Sequence, residues 1–153
     1  MSGSMPSFLF NLTRMRYLSL FSNFFHGTIS PEIDMMTNLV SLHLAGNFFY
    51  STIPSSIGQL TLLTYLSLGS NFNLTGTIPE TIYNLVNLRK LSLHFNKLTG
   101  TISPSVSNLH SLSYIGYYFN KLSGTLPESI GSMTSLTYFS VNNNNLSGCK
   151  FCL

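Results

Sequence analysis

Charge is scarce in this chain. Only 7% of its 153 residues are Asp, Glu, Lys or Arg, against about 25% in an ordinary soluble domain, and the polar quota is met by Ser, Thr and Asn instead. The net charge of +3 is dispersed, with no basic run, so nothing in the composition points to nucleic acid. Cysteine is nearly absent: Cys149 and Cys152 sit together at the C-terminal end, so the body of the fold has no disulfide framework. No apolar run approaches the roughly 18 residues of a spanning helix, and no membrane insertion by this segment is expected. The opening MSGSMPSFLFNLTRM has Phe8-Leu9-Phe10 as its longest apolar run and no Lys or Arg before Arg14. It therefore does not read as a secretory leader.

What is present is a repeat. Asn23, Asn47, Asn71, Asn96, Asn120 and Asn144 recur at spacings of 24, 24, 25, 24 and 24. Leu88, Leu91, Leu93, Asn96, Leu98, Gly100 and Ile102 fill the frame LxxLxLxxNxLxGxI, and Leu112, Ile115, Tyr117, Asn120, Leu122, Gly124 and Leu126 fill it again, followed by Pro127. The second copy runs Leu39, Leu42, Leu44, Asn47, Phe49, Ile53, Pro54. At this length one domain is the natural organisation. Its parts are a partial repeat over 1–14, six frames over 15–148 and an irregular tail over 149–153.

Each frame position has a physical task. The LxL piece is a short strand whose two leucines point inward while the residue between them faces out. Asn then turns the chain, because its amide both donates to and accepts from backbone groups that the bend leaves unpaired, and stacked asparagines form a ladder. Gly and Pro suit a second extended piece followed by a tight turn. Segments such as PSSIGQL leave room for a turn or two of 3₁₀ or α helix. One coil cannot bury its leucines alone, whereas stacked coils share a continuous core. Pro6 stands 48 residues before Pro54, which places the opening stretch inside this frame. The extra residue near Phe72-Asn73 is expected to bulge locally while Leu66, Leu68 and Leu74 still point inward.

The 24-residue frame with NKLTGTI and NKLSGTLPESIG resembles the plant-type leucine-rich repeat of receptor-like kinase and receptor-like protein ectodomains and of polygalacturonase-inhibiting proteins. The frame and the resemblance together give an α/β-type solenoid, a right-handed superhelix with one parallel strand per repeat. Departures are Ser30 and Ser103 at the frame proline and Ser51 at the frame glycine. A fragment of a longer protein, an isolated gene product and a divergent relative all fit the sequence. The implied role is non-catalytic recognition of a protein or peptide, with no cofactor. Localisation stays open: extracellular or cell-surface if the chain belongs to a larger receptor-like protein.

In such a solenoid the variable residues of LxxLxLxxN line the concave face. One column is Tyr17, Ser41, Tyr65, Lys90, Tyr114 and Tyr138, and its neighbour is Ser19, His43, Ser67, Ser92, Gly116 and Ser140. Beside them run Phe21, Ala45, Gly69, His94, Tyr118, Asn142 and then Ser22, Gly46, Ser70, Phe95, Phe119, Asn143. Tyrosine among small polar residues is the composition of a paratope. The candidate ligand-binding strip is Tyr65, Lys90, His94, Phe95, Tyr114, Tyr118, Phe119 and Tyr138. Glu32, Asp34, Glu80 and Glu128 fall on the convex arc, where a helical turn stabilises them. Arg16, Arg89, Lys90, Lys97 and Lys121 lie on or beside strands, so the ligand is expected to be acidic or to bear a carboxylate.

No catalytic constellation is legible. His26, His43, His94 and His110 occupy different frame positions, away from the acids, and a hydrolytic triad needs Ser, His and a carboxylate within hydrogen-bond reach. Cys149 and Cys152 supply half the ligands of a structural zinc site, so a local disulfide or two free thiols fits them better. NxS/T sequons at Asn11, Asn73 and Asn145 become glycosylation sites if the protein is secreted. A rival reading is ice binding, from a column of Thr28, Thr52, Thr77, Thr101 and Thr125 beside Thr75, Thr99 and Ser123.

Overall fold

The computed structural model describes residues 2–148; the cysteine pair Cys149 and Cys152 lies outside the described residues. Twelve short strands account for the extended structure among them: β1 (Ser2–Ser4), β2 (Tyr17–Ser19), β3 (Phe24–Gly27), β4 (Ser41–His43), β5 (Phe48–Thr52), β6 (Tyr65–Ser67), β7 (Asn73–Thr75), β8 (Lys90–Ser92), β9 (Tyr114–Gly116), β10 (Ser123–Gly124), β11 (Tyr138–Ser140) and β12 (Asn145–Leu146). Six of them form one parallel sheet in the order β2-β4-β6-β8-β9-β11. Its register pairs Tyr17 with Ser41, Ser41 with Tyr65, Tyr65 with Lys90, Lys90 with Tyr114 and Tyr114 with Tyr138. Equivalent frame positions therefore stand side by side, and the columns read from the sequence are columns in space. Leu18, Leu42, Leu66, Leu91 and Ile115, central in their strands, are buried.

A second parallel ladder runs β1-β3-β5-β7 and continues as a single bridge between Thr77 and Thr99, and β10-β12 form a separate parallel pair further along the same side. Here the register differs. His26 pairs with Phe48, Tyr50 with Asn73 and Thr52 with Thr75, so each coil slips two residues against the frame. Thr52 thus faces Thr75 rather than Thr77, its frame equivalent, and the threonines climb diagonally. Two residues of strand are about 7 Å and neighbouring strands about 4.8 Å apart.

The third side of each coil is a five-residue 3₁₀ turn, at Ser7–Asn11, Pro31–Met35, Ser55–Gln59, Glu80–Asn84, Pro104–Asn108 and Glu128–Ser132. Among the described residues there is no α-helix, and none long and apolar enough to cross a membrane. Pro6, Pro54, Pro79 and Pro127 precede four of these turns in extended conformation. In the other two the serine at that place does the job with its hydroxyl: Ser30 Oγ accepts from the Glu32 N–H and Ser103 Oγ from the Ser105 N–H. That is N-capping, and it explains how the frame tolerates the loss of proline there.

The asparagines form the expected ladder. Asn120 donates through Nδ2 to the carbonyls of Leu93 and Tyr117, each at 3.0 Å, and its Oδ1 accepts from the Leu98 N–H at 3.0 Å. Asn47, Asn71 and Asn144 accept in the same way from residues 22 positions earlier, Phe25, Phe49 and Leu122. Asn96 is the exception: its Nδ2 donates to Leu68 and Leu93, but its buried Oδ1 has no partner. Counting back 22 residues leads to Leu74, just past the inserted residue. Phe72 takes a left-handed φ of 59° there and is exposed, while Leu66, Leu68 and Leu74 stay fully buried. The insertion bulges without breaking the concave sheet, and the broken rung is its local cost. Asn120→Ala orphans a buried N–H and is expected to destabilise by about 2–3 kcal/mol, with Asn96→Ala about 1 kcal/mol milder. Urea denaturation of the two variants checks the difference.

Candidate functional site

The site begins with how each concave strand ends. The residue before the frame asparagine is left-handed in every coil: Ser22, Gly46, Ser70, Phe95, Phe119 and Asn143 have φ between 51° and 68°. Glycine, serine and asparagine are economical there. A bulky residue is not, since left-handed backbone costs an L-residue about 1–2 kcal/mol. Phe95 and Phe119 accept that cost, and Phe119 is exposed, so the core gains little from its ring. The two stack at 4.5 Å. Two neighbouring coils thus carry aromatic rings at a turn position that the fold makes left-handed in every coil.

Two glycines let further rings lie flat on the sheet. A Cβ at Gly69 would stand 2.6 Å from His94 Cε1, and one at Gly116 would stand 3.0 Å from the Tyr114 ring. His94 is sandwiched between the Gly69 backbone and Tyr118, whose ring stacks on it at 4.7 Å and 12°. Tyr114 stacks on Tyr138 at 4.4 Å and 4°. Gly69→Ala should leave stability nearly unchanged, because an imidazole can swing aside, yet break the His94–Tyr118 stack. The His94 ring resonances in an NMR spectrum, which lose the shielding of the tyrosine, report it.

Between these stacks lies a cleft of about 330 Å³, lined by Phe21, His43, Ala45, Tyr65, Ser67, Ser70, Lys90, Ser92, His94 and Tyr114. It brings together Tyr65, Lys90, His94 and Tyr114 of the strip read from the sequence. Phe95, Tyr118, Phe119 and Tyr138 extend from it as adjoining stacks. The cleft also uses residues outside that strip. Phe21 stacks on His43 at 4.5 Å, and His43 meets Tyr65 edge-on at 5.4 Å. The small side chain of Ala45, visible in the sequence as an interruption of an aromatic column, is the available signal for a hollow.

Electrostatics narrow the picture. Lys97 and Lys121 do not belong to this face: their backbones join the second ladder, and Lys97 Nζ donates to Asn73 Oδ1 at 2.7 Å. Arg16 and Arg89 line a separate recess with Val40, Leu62 and Thr64. Lys90 is therefore the one cation among the residues lining the cleft. The acids Glu32, Asp34, Glu80 and Glu128 all stand in the first turns of 3₁₀ segments. Burial holds His43 and His94 below the usual 6.5 and pushes the Tyr114 phenol up to about 12, with Tyr118 and Tyr138 adding to the rise. A larger recess of about 570 Å³ on the threonine side, among Thr28, Thr52, Thr77, Pro54 and Pro79, is lined by no titratable group. Among the described residues no three His, Cys, Asp or Glu side chains come together.

Comparison with known proteins fits this architecture. A family model described as a leucine-rich repeat region matches residues 4–147. The Arabidopsis receptor kinase HAESA, solved with the peptide hormone IDA and the co-receptor SERK1, superposes with a TM-score of 0.91 at 39% identity, over 95% of this chain and 24% of that one. The plant peptide hormone receptor RGFR1, in complex with RGF2, gives 0.93 at 34%, over 97% and 24%. The ectodomain of the receptor kinase SOBIR1 from Arabidopsis thaliana gives 0.80 at 35%, over 86% and 71%. The chain thus spans about a quarter of the length of the first two. No curated protein matches it. With the repeat frame, two parallel ladders and a family match over nearly all its length, the chain belongs to the leucine-rich repeat family.

Proposed function

We propose that this chain is a recognition segment of receptor or inhibitor type, which binds a peptide or protein through its concave face and performs no catalysis. The single observation that carries this reading is the pair of outward aromatic rings, Phe95 and Phe119, at left-handed positions beside a cleft. The neighbours HAESA and RGFR1, solved with a peptide hormone and with RGF2, support it by analogy of fold and sequence. An extracellular placement follows from the same analogy, and the exposed sequon residues Asn11, Asn73 and Asn145 then become glycan acceptors.

The test is selection of binders from a random dodecapeptide library, followed by hydrogen exchange on the complex. Protection should concentrate on β6, β8 and β9 and the turns after them. Protection on the 3₁₀ arc or the second ladder overturns the concave assignment. The alternative of a truncated repeat fragment that self-associates draws on Phe8 and Leu12, both exposed on the first coil. It predicts a mass that rises with concentration in light scattering, whereas the recognition reading predicts a constant one. For ice binding, the diagonal drift of the threonines is the relevant geometry: it replaces a straight column with a stair two residues wide.

A further inference from the structure

The second ladder turns aromatic rings outward that neither the core nor the concave cleft uses. Phe24, Phe48 and Tyr50, on β3 and β5, are 64%, 49% and 50% exposed, and Phe72, at the entry to β7, is 56% exposed. Phe24 stacks on Phe48 at 6.1 Å. Apolar surface grouped in this way calls for an occupant. The insertion at Phe72 sets a modifiable amide beside it. Leu74 takes the buried place that Leu98 holds in the next coil, so Asn73 stands where Lys97 stands there, exposed to solvent. The register pairs Asn73 directly with Tyr50, and Thr75 with Thr52. Paired residues of neighbouring strands, about 4.8 Å apart, project to the same side. Asn73 and Tyr50 are therefore lateral neighbours on the outer face, with Phe48 two residues further along β5.

Asn73, Leu74 and Thr75 form an Asn-x-Thr sequon. Lys97 Nζ donates to Asn73 Oδ1 at 2.7 Å. An ammonium can only donate, so this contact fixes which end of the amide is oxygen. The other end, Nδ2, makes no hydrogen bond among the described residues. The sequon at Asn145 has a different setting, because its ladder partner is Ser123 and no ring stands opposite.

Resting on the extracellular placement of the chain, we propose that Asn73 bears an N-linked glycan whose first sugar packs on Tyr50, with the oligosaccharide running on towards Phe48. The occupant of the aromatic face is the chain's own modification. Transfer from a polyprenyl-diphosphate-linked oligosaccharide forms a bond between Asn73 Nδ2 and the anomeric carbon. The bond from that carbon to the diphosphate oxygen breaks, the diphosphate leaves with the electron pair, and the amide gives up one proton. A pyranose ring presents an apolar face of C–H groups that suits the negative face of an aromatic ring, while its hydroxyls stay in water. The four half-exposed rings together offer on the order of 400 Å², half of the roughly 800 Å² that a stable protein interface takes from each partner. A few sugars fit such a strip better than a second protein does. Since this face lies past the asparagine turn, the glycan leaves the concave cleft open.

The test compares the intact chain made in bacteria, without glycans, with the same chain made in a eukaryotic secretory host behind a cleavable leader. Mass spectrometry of the secreted form should find Asn73 occupied, and nuclear Overhauser contacts should join its first sugar to the Tyr50 ring. The secreted form should also melt at a higher temperature than the bacterial one. That gap should narrow by about 2–4 °C in Thr75→Ala, which removes the sequon and keeps Asn73, and equally in Tyr50→Ser, which keeps the sequon and removes the ring. Asn145→Gln should leave the gap unchanged. Each variant is measured against its own glycan-free form, so the cost of the substitution itself cancels. An unoccupied Asn73, a glycan without contacts to Tyr50, or a gap that Tyr50→Ser does not narrow overturns the proposal. So does a dimer of the secreted form that Tyr50→Ser dissolves, which assigns the face to a second copy. The leader imposes secretion and the exchange map with selected peptides reads the other ladder, so this proposal and the concave reading fail separately.

Discussion

Removing the rings of Tyr114 and Tyr118 together should lower affinity for a concave-face ligand at least a hundredfold and leave the fold in place. Binding energy at protein surfaces concentrates in a few tyrosine, tryptophan or arginine anchors, typically worth 2 kcal/mol or more each. Both rings are stacked, Tyr114 against Tyr138 and Tyr118 against His94, so they are held in one orientation before a ligand arrives and lose little freedom on binding. Burial keeps the Tyr114 phenol protonated up to about 12, so it remains a hydrogen-bond donor at any ordinary pH. Both side chains are half-buried on the sheet surface, outside the leucine core. Calorimetric titration with a selected peptide measures the loss, and an unchanged melting temperature shows that the fold survives. Glu80→Ala is the control. Its carboxylate accepts from Ser103 Oγ at 2.9 Å on the opposite arc, so affinity should not move. Weaker binding by that variant, with the tyrosine pair silent, would place the ligand elsewhere.

Leu93→Ala should cost about 2–5 kcal/mol by leaving a cavity. Leu93 is fully buried, and its carbonyl is where two rungs of the ladder meet, since both Asn96 and Asn120 donate to it. A collapse around the shortened side chain would disturb both hydrogen bonds, so the site has little room to relax and the upper half of the range is expected. Denaturant unfolding monitored by circular dichroism measures it. A loss under half a kilocalorie would contradict the burial.

The concave columns were legible in the sequence because the first ladder keeps frame-equivalent residues side by side, so counting by 24 or 25 gives true neighbours. The same counting fails on the second ladder. Lys97 and Lys121, on or beside strands by the frame, sit past the asparagine turn on the other side and add nothing to the charge of the inner face. The threonine column fails likewise, because a two-residue slip is set by how tilted strands pair and not by which residues recur. The cleft was only half visible. Aromatic columns announce themselves by their side chains, whereas a hollow is made by what is missing, at Ala45, and by rings such as Phe21 and His43 that lean in from the first two coils. The left-handed residue before each asparagine was invisible for another reason: serine, glycine, asparagine and phenylalanine all occupy it, and no single residue type marks it.

The bulge at Phe72 also has a mechanical meaning. In a solenoid each coil is coupled only to its neighbours, and stability is the sum of those couplings. Between the third and fourth coils the outer pairing is the Thr77–Thr99 bridge and one asparagine rung lacks its acceptor bond, and between the fourth and fifth the outer side keeps only the bonds from the Lys121 N–H to Leu98 and from the Ser123 N–H to Gly100, while the first ladder runs through unbroken. The coupling between coils is therefore continuous along the inner sheet and interrupted on the outer side across these two seams. In rising denaturant, separation is expected to begin on the outer side of these seams while the inner sheet still holds.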